Sequence, residues 1–188
     1  FTITQPGTYN IYNGLCAYSV AKELHINDEV IQKSFSNQSS SFGRQETIKI
    51  GDKEARIILV KNPAGYNQAL DTLLLNSESF AAAFLLNDNY ADGKDVSWIW
   101  DVDFEALADQ QVRFTRVLVS GVRADDMALR LKYAGFAPER IEVIREYDKL
   151  LTEIGSDETP AFLMPTYTAM FDLRGEISKV GGQAVLGR

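Results

Sequence analysis

Residues 80–105 read FAAAFLLNDNYADGKDVSWIWDVDFE, and the change of character inside this stretch decides how the chain is built. Phe80 to Leu86 is short and continuously apolar, the pattern of a strand buried on both faces. The residues that follow are dense in carboxylates (Asp88, Asp92, Asp95, Asp101, Asp103 and Glu105) and threaded with Trp98, Trp100 and Phe104. A loop that needs only solubility has no use for large aromatics. A core element cannot bury that many carboxylates unless they are paired. The combination predicts a shaped, partly desolvated acidic site at the end of a buried strand.

Outward from that strand, apolar runs and amphipathic helices alternate. Arg56 to Val60 predicts a strand and Asn67 to Leu75 a helix; downstream, Trp98 to Ala108 predicts a helix and Val117 to Val122 a strand. A helix over Asp125 to Tyr133 closed by Gly135, a strand at Ile141 to Ile144 and a helix at Tyr147 to Ile154 come next. A strand at Ala161 to Met164 and a helix at Tyr167 to Leu173 complete the series. Such an order predicts βαβ units, hence an α/β, Rossmann-like, mainly parallel sheet covered by helices. Ligands of such sheets bind outside the carboxyl ends of the strands. The loops Lys61–Gly65, the acidic segment and Ser120–Arg123 should therefore open on one edge and can share a site.

The first fifty residues have a different texture. A Pro6-Gly7 turn precedes a helical pattern over Tyr9 to Leu24, and a second helix over Asp28 to Ser34 has Asp28 in a capping position. Ser36 to Ser41 reads as a loop, Arg44 to Ile50 alternates polar and apolar residues, and Gly51-Asp52 turns the chain. The expected organisation is residues 1–50, residues 51–180 as the α/β domain, and a tail at 181–188 that reads as a disordered end. Phe1 opens without methionine, which reads as the middle of a longer protein or a trimmed one.

Composition narrows the classes. A hydrophobic content of 45% with 24% charged residues is that of a folded chain. A net charge of -7 argues against nucleic acid or an anionic membrane surface as partner. No run approaches the length of a membrane-spanning helix and no export signal opens the chain, so a cytoplasmic location is expected. The single cysteine, Cys16, excludes an internal disulfide framework and a cysteine-rich zinc site within this stretch, and is expected to pack as a small hydrophobe.

Three readings fit the acidic segment. Two or more carboxylates could hold Mg²⁺ as hard oxygen ligands. One could accept a proton or orient an imidazole. Or the aspartates are turn and cap residues, since Asp92-Gly93 is a strong turn signal and Asp95 can cap a helix starting at Val96 or Ser97. Asn62-Pro63-Ala64-Gly65 is likewise either a plain βα turn or a helix start that suits an anion. The only histidine, His25, follows a helix of the first region, so no Ser-His-Asp or Cys-His-Asp set falls together. No G-x-x-x-x-G-K-[ST] loop is present. A working aspartate would need partners from elsewhere, which is what a site completed by another subunit looks like.

LNDNYADGKDVSWIWDVDFE, with LVKNPAGYNQAL before it and VLVSGVRADDMALRLKYAG after it, resembles the carboxy-terminal domain of the MurT family, relatives of the Mur ligases. PGTYNIYNGLCAYSVAKEL and FGRQE are similar to the end of a Mur-ligase central ATPase domain and the stretch before its last domain. The resemblance covers the chain to about Arg174. It implies the synthetase subunit of a lipid II isoglutaminyl synthase, a carbon–nitrogen ligase that works as a heterodimer with a GatD-type glutaminase. The implied reaction is ATP-dependent amidation of the D-glutamate α-carboxyl of the lipid II stem peptide with glutamine-derived ammonia. An aspartate of the last domain would complete the partner's Cys-His set: Asp95 by motif position, followed by Asp92 and Asp101. Asn10, Asn13, Arg44 and Asn62 match positions that serve ATP, used with Mg²⁺, at the adenine, the hinge and the last-domain loop. The P-loop, the amino-terminal domain and a four-cysteine zinc ribbon of the family pattern are not in this stretch, which alone is expected to be inactive. Two alternatives stand beside this reading: a docking module anchored on the glutaminase by Trp98, Trp100 and Phe104, and a fragment of a Mur-type amino-acid ligase.

Overall fold

The apolar run that begins at Phe80 becomes strand β3 (Phe80–Leu85), every residue of which is buried. The computed structural model describes residues 1–3, 7–37 and 43–179, without the side chain of Arg44. The 38–41 part of the expected loop and the 181–188 tail lie outside the described residues.

β3 sits in a six-stranded sheet with β1 (Arg44–Ile50), β2 (Lys53–Ile58), β4 (Phe114–Ser120), β5 (Ile141–Val143) and β6 (Ala161–Pro165). The order is β1-β2-β6-β3-β4-β5. β1 and β2 form an antiparallel hairpin about Gly51, and every other pairing is parallel. The sheet thus includes Arg44–Ile50, which the sequence reading groups with the upstream residues.

Period-two alternation divides β3 between two cores. Phe80, Ala82 and Phe84 join a cluster rich in aromatics with α3 (Pro63–Leu74), α4 (Glu105–Ala108) and α5 (Ala124–Ala134). Ala81, Ala83 and Leu85 join an aliphatic cluster with α6 (Tyr147–Ser156) and α7 (Tyr167–Lys179). Asn62 caps α3 by accepting from the Gly65 N–H (2.8 Å) with Pro63 in the first turn, and Gly135 closes α5 at φ 109°.

Three expectations change. The predicted helix Trp98–Ala108 is two pieces, a 3-10 turn Ser97–Asp101 and the short α4, because Val102 is extended and the Asp103 N–H donates to Asn67 Oδ1 (2.9 Å). The second helix, α2 (Asp28–Ser36), is capped by Asn27, whose side chain accepts from Glu29 N (2.8 Å), so Asp28 is its first residue and not its cap. Cys16 is exposed, because α1 (Thr8–Glu23) buries none of its residues and leaves Ile11, Tyr12 and Leu15 facing outward.

Candidate catalytic edge of the sheet

Because β2, β3, β4 and β6 run parallel, the loops after them open on one edge. The segment after β3 leads to the aromatic face and α7 after β6 to the aliphatic face, so a crevice opens between the ends of these adjacent strands. Asn87 fills it. Its side chain is buried; Oδ1 accepts from Val122 N (2.9 Å), while Nδ2 donates to Thr168 Oγ1 (3.0 Å) and Asp172 Oδ2 (3.3 Å). Its own N–H donates to Thr166 Oγ1 (3.0 Å), which ties the ends of β3, β4 and β6 into one knot. Gly121 sits at φ 93° against this knot, and a Cβ there would stand 2.4 Å from Leu86 O. Tyr147 lies beside it, its phenol pushed up to about 12 by burial first and by the carboxylates of Asp172 and Asp92 after that.

The predicted aspartates separate in this geometry. Asp92 accepts from the Thr168 N–H (2.8 Å) and from the Thr168 hydroxyl, so it satisfies a free donor at the start of α7 from another part of the chain. Asp95 is exposed and accepts from the N–H of Ser97 (2.8 Å), the first residue of the 3-10 turn, whose cap position is Val96. Bonds to Ser97 hold its carboxyl below the usual carboxylate range, so it is ionised at neutral pH. Asp101 is exposed at the end of that turn. Asp88 pairs with Arg123 (3.1 Å), which also holds Asp126 (2.7 Å). Among the described residues no three His, Cys, Asp or Glu side chains converge as metal ligands.

Behind the turn stands Arg130 of α5, which sequence reasoning missed. Its buried guanidinium donates to Ile99 O (3.1 Å), Val102 O (2.6 Å) and Glu105 (2.7 Å), between the rings of Trp100 (5.4 Å) and Phe104 (5.3 Å). The aromatics thereby take different places. Phe104 is fully buried, edge-on to Tyr66 and Phe84, and Trp98 packs half-buried on the same core. Phe104, with no exposed surface, cannot anchor a partner as expected, whereas Trp98 keeps part of its ring exposed. Trp100 is 49% exposed and stacks edge-on against Tyr133 at 5.8 Å.

The nucleotide candidates are scattered. Asn62 is at the same edge as the aspartates, engaged as the α3 cap. Asn10 and Asn13 lie on α1, whose neighbours Tyr9 and Tyr12 border the last turns of α3 around Thr72 and Leu75, at the far end of that helix from Asn62. Arg44 opens β1 beside a bulge at Gln45, and its side chain lies outside the described residues. Glu46, two residues on, is buried against Arg174 of α7 and accepts from Gly43 N (3.1 Å), so Glu46 bolts the sheet's edge to α7.

This arrangement of sheet and helices is shared with solved structures of a Mur ligase and of folylpolyglutamate synthases. A folylpolyglutamate synthase from Mycobacterium tuberculosis complexed with ADP superposes with a TM-score of 0.69 at 17% identity, covering 97% of this chain and 42% of that one. UDP-N-acetylmuramate-alanine ligase MurC from Thermotoga maritima superposes at 0.68 and 13% identity, covering 95% and 39%. Residues 59–170 match the family described as MurT ligase C-terminal, and the chain belongs to that family. It is 40% identical over 169 residues to the MurT subunit of the glutamine-hydrolyzing lipid II isoglutaminyl synthase of Streptococcus pneumoniae, covering 89% of this chain and 37% of that protein. The Staphylococcus aureus subunit of the same name is 36% identical over 182 residues, covering 95% and 40%. The chain thus spans about two fifths of the length of these curated relatives.

Proposed function

We propose that the chain is part of the synthetase subunit of a lipid II isoglutaminyl synthase, in which Asp95 completes the active site of a GatD-type glutaminase partner. The single observation that carries this is Asp95 itself: an exposed carboxylate held ionised on a fixed turn, with no imidazole or thiol of its own loop to serve. An ionised carboxylate facing a partner's histidine fixes the imidazole tautomer, so that the other ring nitrogen can take the thiol proton of a cysteine nucleophile. Ammonia released from glutamine would then amidate the D-glutamate α-carboxyl of the lipid II stem peptide. ATP and Mg²⁺ would activate that carboxyl in the complete subunit, a cytoplasmic protein. Residues upstream of β1 are the end of its central domain, with Asn10 and Asn13 toward the nucleotide, Arg44 at the hinge and Asn62 at the last-domain loop, and the sheet from β1 onward with its helices forms its last domain. The outward-facing apolar side chains of α1 fit a helix whose neighbours belong to the missing part of that central domain.

The test is reconstitution of the full-length protein with its glutaminase, ATP, glutamine and lipid II. Asp95→Asn is expected to lower glutamine hydrolysis by on the order of 10⁴-fold while complex formation persists. If Asp95, Asp92 and Asp101 substitutions all leave amidation intact, the assignment is wrong. A docking role is favoured by one feature, the exposed Trp100 stacked on Tyr133. Loss of binding in Trp100→Ala, with normal turnover once the partner saturates, would give that patch the docking role alone.

A further inference from the structure

Residues 87–95 contain no helix or strand, so side chains must set the path of this loop. Three of them converge on one hydroxyl. Thr168 Oγ1 donates to Asp92 and accepts from Asn87 Nδ2 (3.0 Å) and Asn89 Nδ2 (2.9 Å). A hydroxyl has one proton and two lone pairs, so this one is saturated. Asp92 also takes the Thr168 N–H (2.8 Å), which makes its grip two-pronged, and the Asp92 and Gly93 N–H groups close a turn on Asn89 O at 2.9 and 3.2 Å. From Asp92 the chain has only three residues, about 10 Å at full extension, before Asp95. Asp95 is then pinned on its far side by Ser97.

We propose that Thr168 and Asp92 are positioning residues: the pair moors the acidic loop to the start of α7 and so sets where the Asp95 carboxylate points. This rests on the reading that Asp95 completes the partner's site, and it takes Asp92 out of direct chemistry. α7 itself does not depend on the mooring, because Ala169, Met170, Leu173 and Ile177 bury into the aliphatic core and Arg174 pairs with Glu46. The tie therefore holds the loop rather than the fold, and its loss should cost geometry at Asp95 before it costs stability.

The experiment compares the full-length complex as wild type, Thr168→Val, Thr168→Ser, Asp95→Asn and the Thr168→Val/Asp95→Asn double variant. Valine keeps the shape of threonine and removes the hydroxyl. Thr168→Val is expected to lower kcat for glutamine hydrolysis by on the order of 10²-fold, as misplacement of a catalytic group by about 1 Å does, with KM for glutamine unchanged. Hydrogen exchange should quicken in residues 88–96 and stay slow in the strands, Thr168→Ser should restore kcat, and Thr168→Val should add no loss on top of Asp95→Asn. Wild-type kcat in Thr168→Val overturns the inference, as does a serine variant no better than valine, or faster exchange across the whole sheet. An inactive Asp95→Asn beside an active Thr168→Val sinks the mooring alone. An active Asp95→Asn sinks the reading beneath it as well.

Discussion

Upstream of Asp95 the acidic segment is fastened by polar side chains, and downstream of it by burial. Asn87, Asn89 and Asp92 meet a hydroxyl and an N–H of α7, whereas Val96, Ile99, Val102 and Phe104 sink into the aromatic core under the buried guanidinium of Arg130. The two kinds of fastening behave differently. Hydrogen bonds fix direction and contribute about 1 kcal/mol each, while burial supplies most of the energy and tolerates small shifts. A carboxylate placed where they meet has a stable base on one side and an aimed strap on the other.

The downstream side should therefore dominate stability. Phe104→Ala removes a fully buried ring that touches Tyr66 and Phe84, and is expected to cost about 4 kcal/mol in urea unfolding. A cost no larger than a single hydrogen bond's would erase the contrast between the two halves.

Arg130→Met comes next. The methionine keeps an apolar stem but leaves Ile99 O and Val102 O without their donor, and about 3 kcal/mol is expected from the orphaned carbonyls and lost ring contacts. Glu105 is half-exposed and can return to water, so it adds little to that figure. Its carboxyl is held below the ordinary range by the bond to Arg130, so its share of stability is present above the unfolded-state pKa and is lost as pH falls through the folded one. Unfolding midpoints measured from neutral into acidic pH should accordingly fall less steeply in Arg130→Met than in wild type.

The same contrast explains what the sequence could reveal. The sheet was legible because burial leaves a periodic trace: the Phe80 run, the strands near Val117 and Ala161, and the helix closed by Gly135 are local signals. The turn role of Asp95 was legible because it too is local: its partner Ser97 is two residues away. The strap was not, because Asp92 and Thr168 stand 76 positions apart and neither residue type announces the other. The break in the expected Trp98–Ala108 helix was hidden likewise, since it is stabilised by Asn67 and Arg130 from other helices. Aromatic content alone could not sort buried Phe104 from exposed Trp100.

The smallest expected effect has the opposite sign. Tyr66 is fully buried against Phe104 and Trp98, and among the described residues its hydroxyl has no hydrogen-bond partner. Tyr66→Phe removes a desolvated, unpaired group and keeps the ring, so a gain of up to about 1 kcal/mol is expected. Burial also pushes the Tyr66 phenol up from its ordinary value of 10.0. A raised folded pKa means that its share of stability is intact below the unfolded-state value and drains away as pH climbs above it. Tyr147, pushed up to about 12, loses its share between the ordinary value and that pH in wild type and variant alike. Subtracting the two unfolding curves therefore isolates Tyr66, and the advantage of Tyr66→Phe should widen above about pH 10. A variant less stable than wild type at neutral pH would mean that the hydroxyl has a bonding partner after all, and that the burial-held half of the segment contains a polar strap of its own.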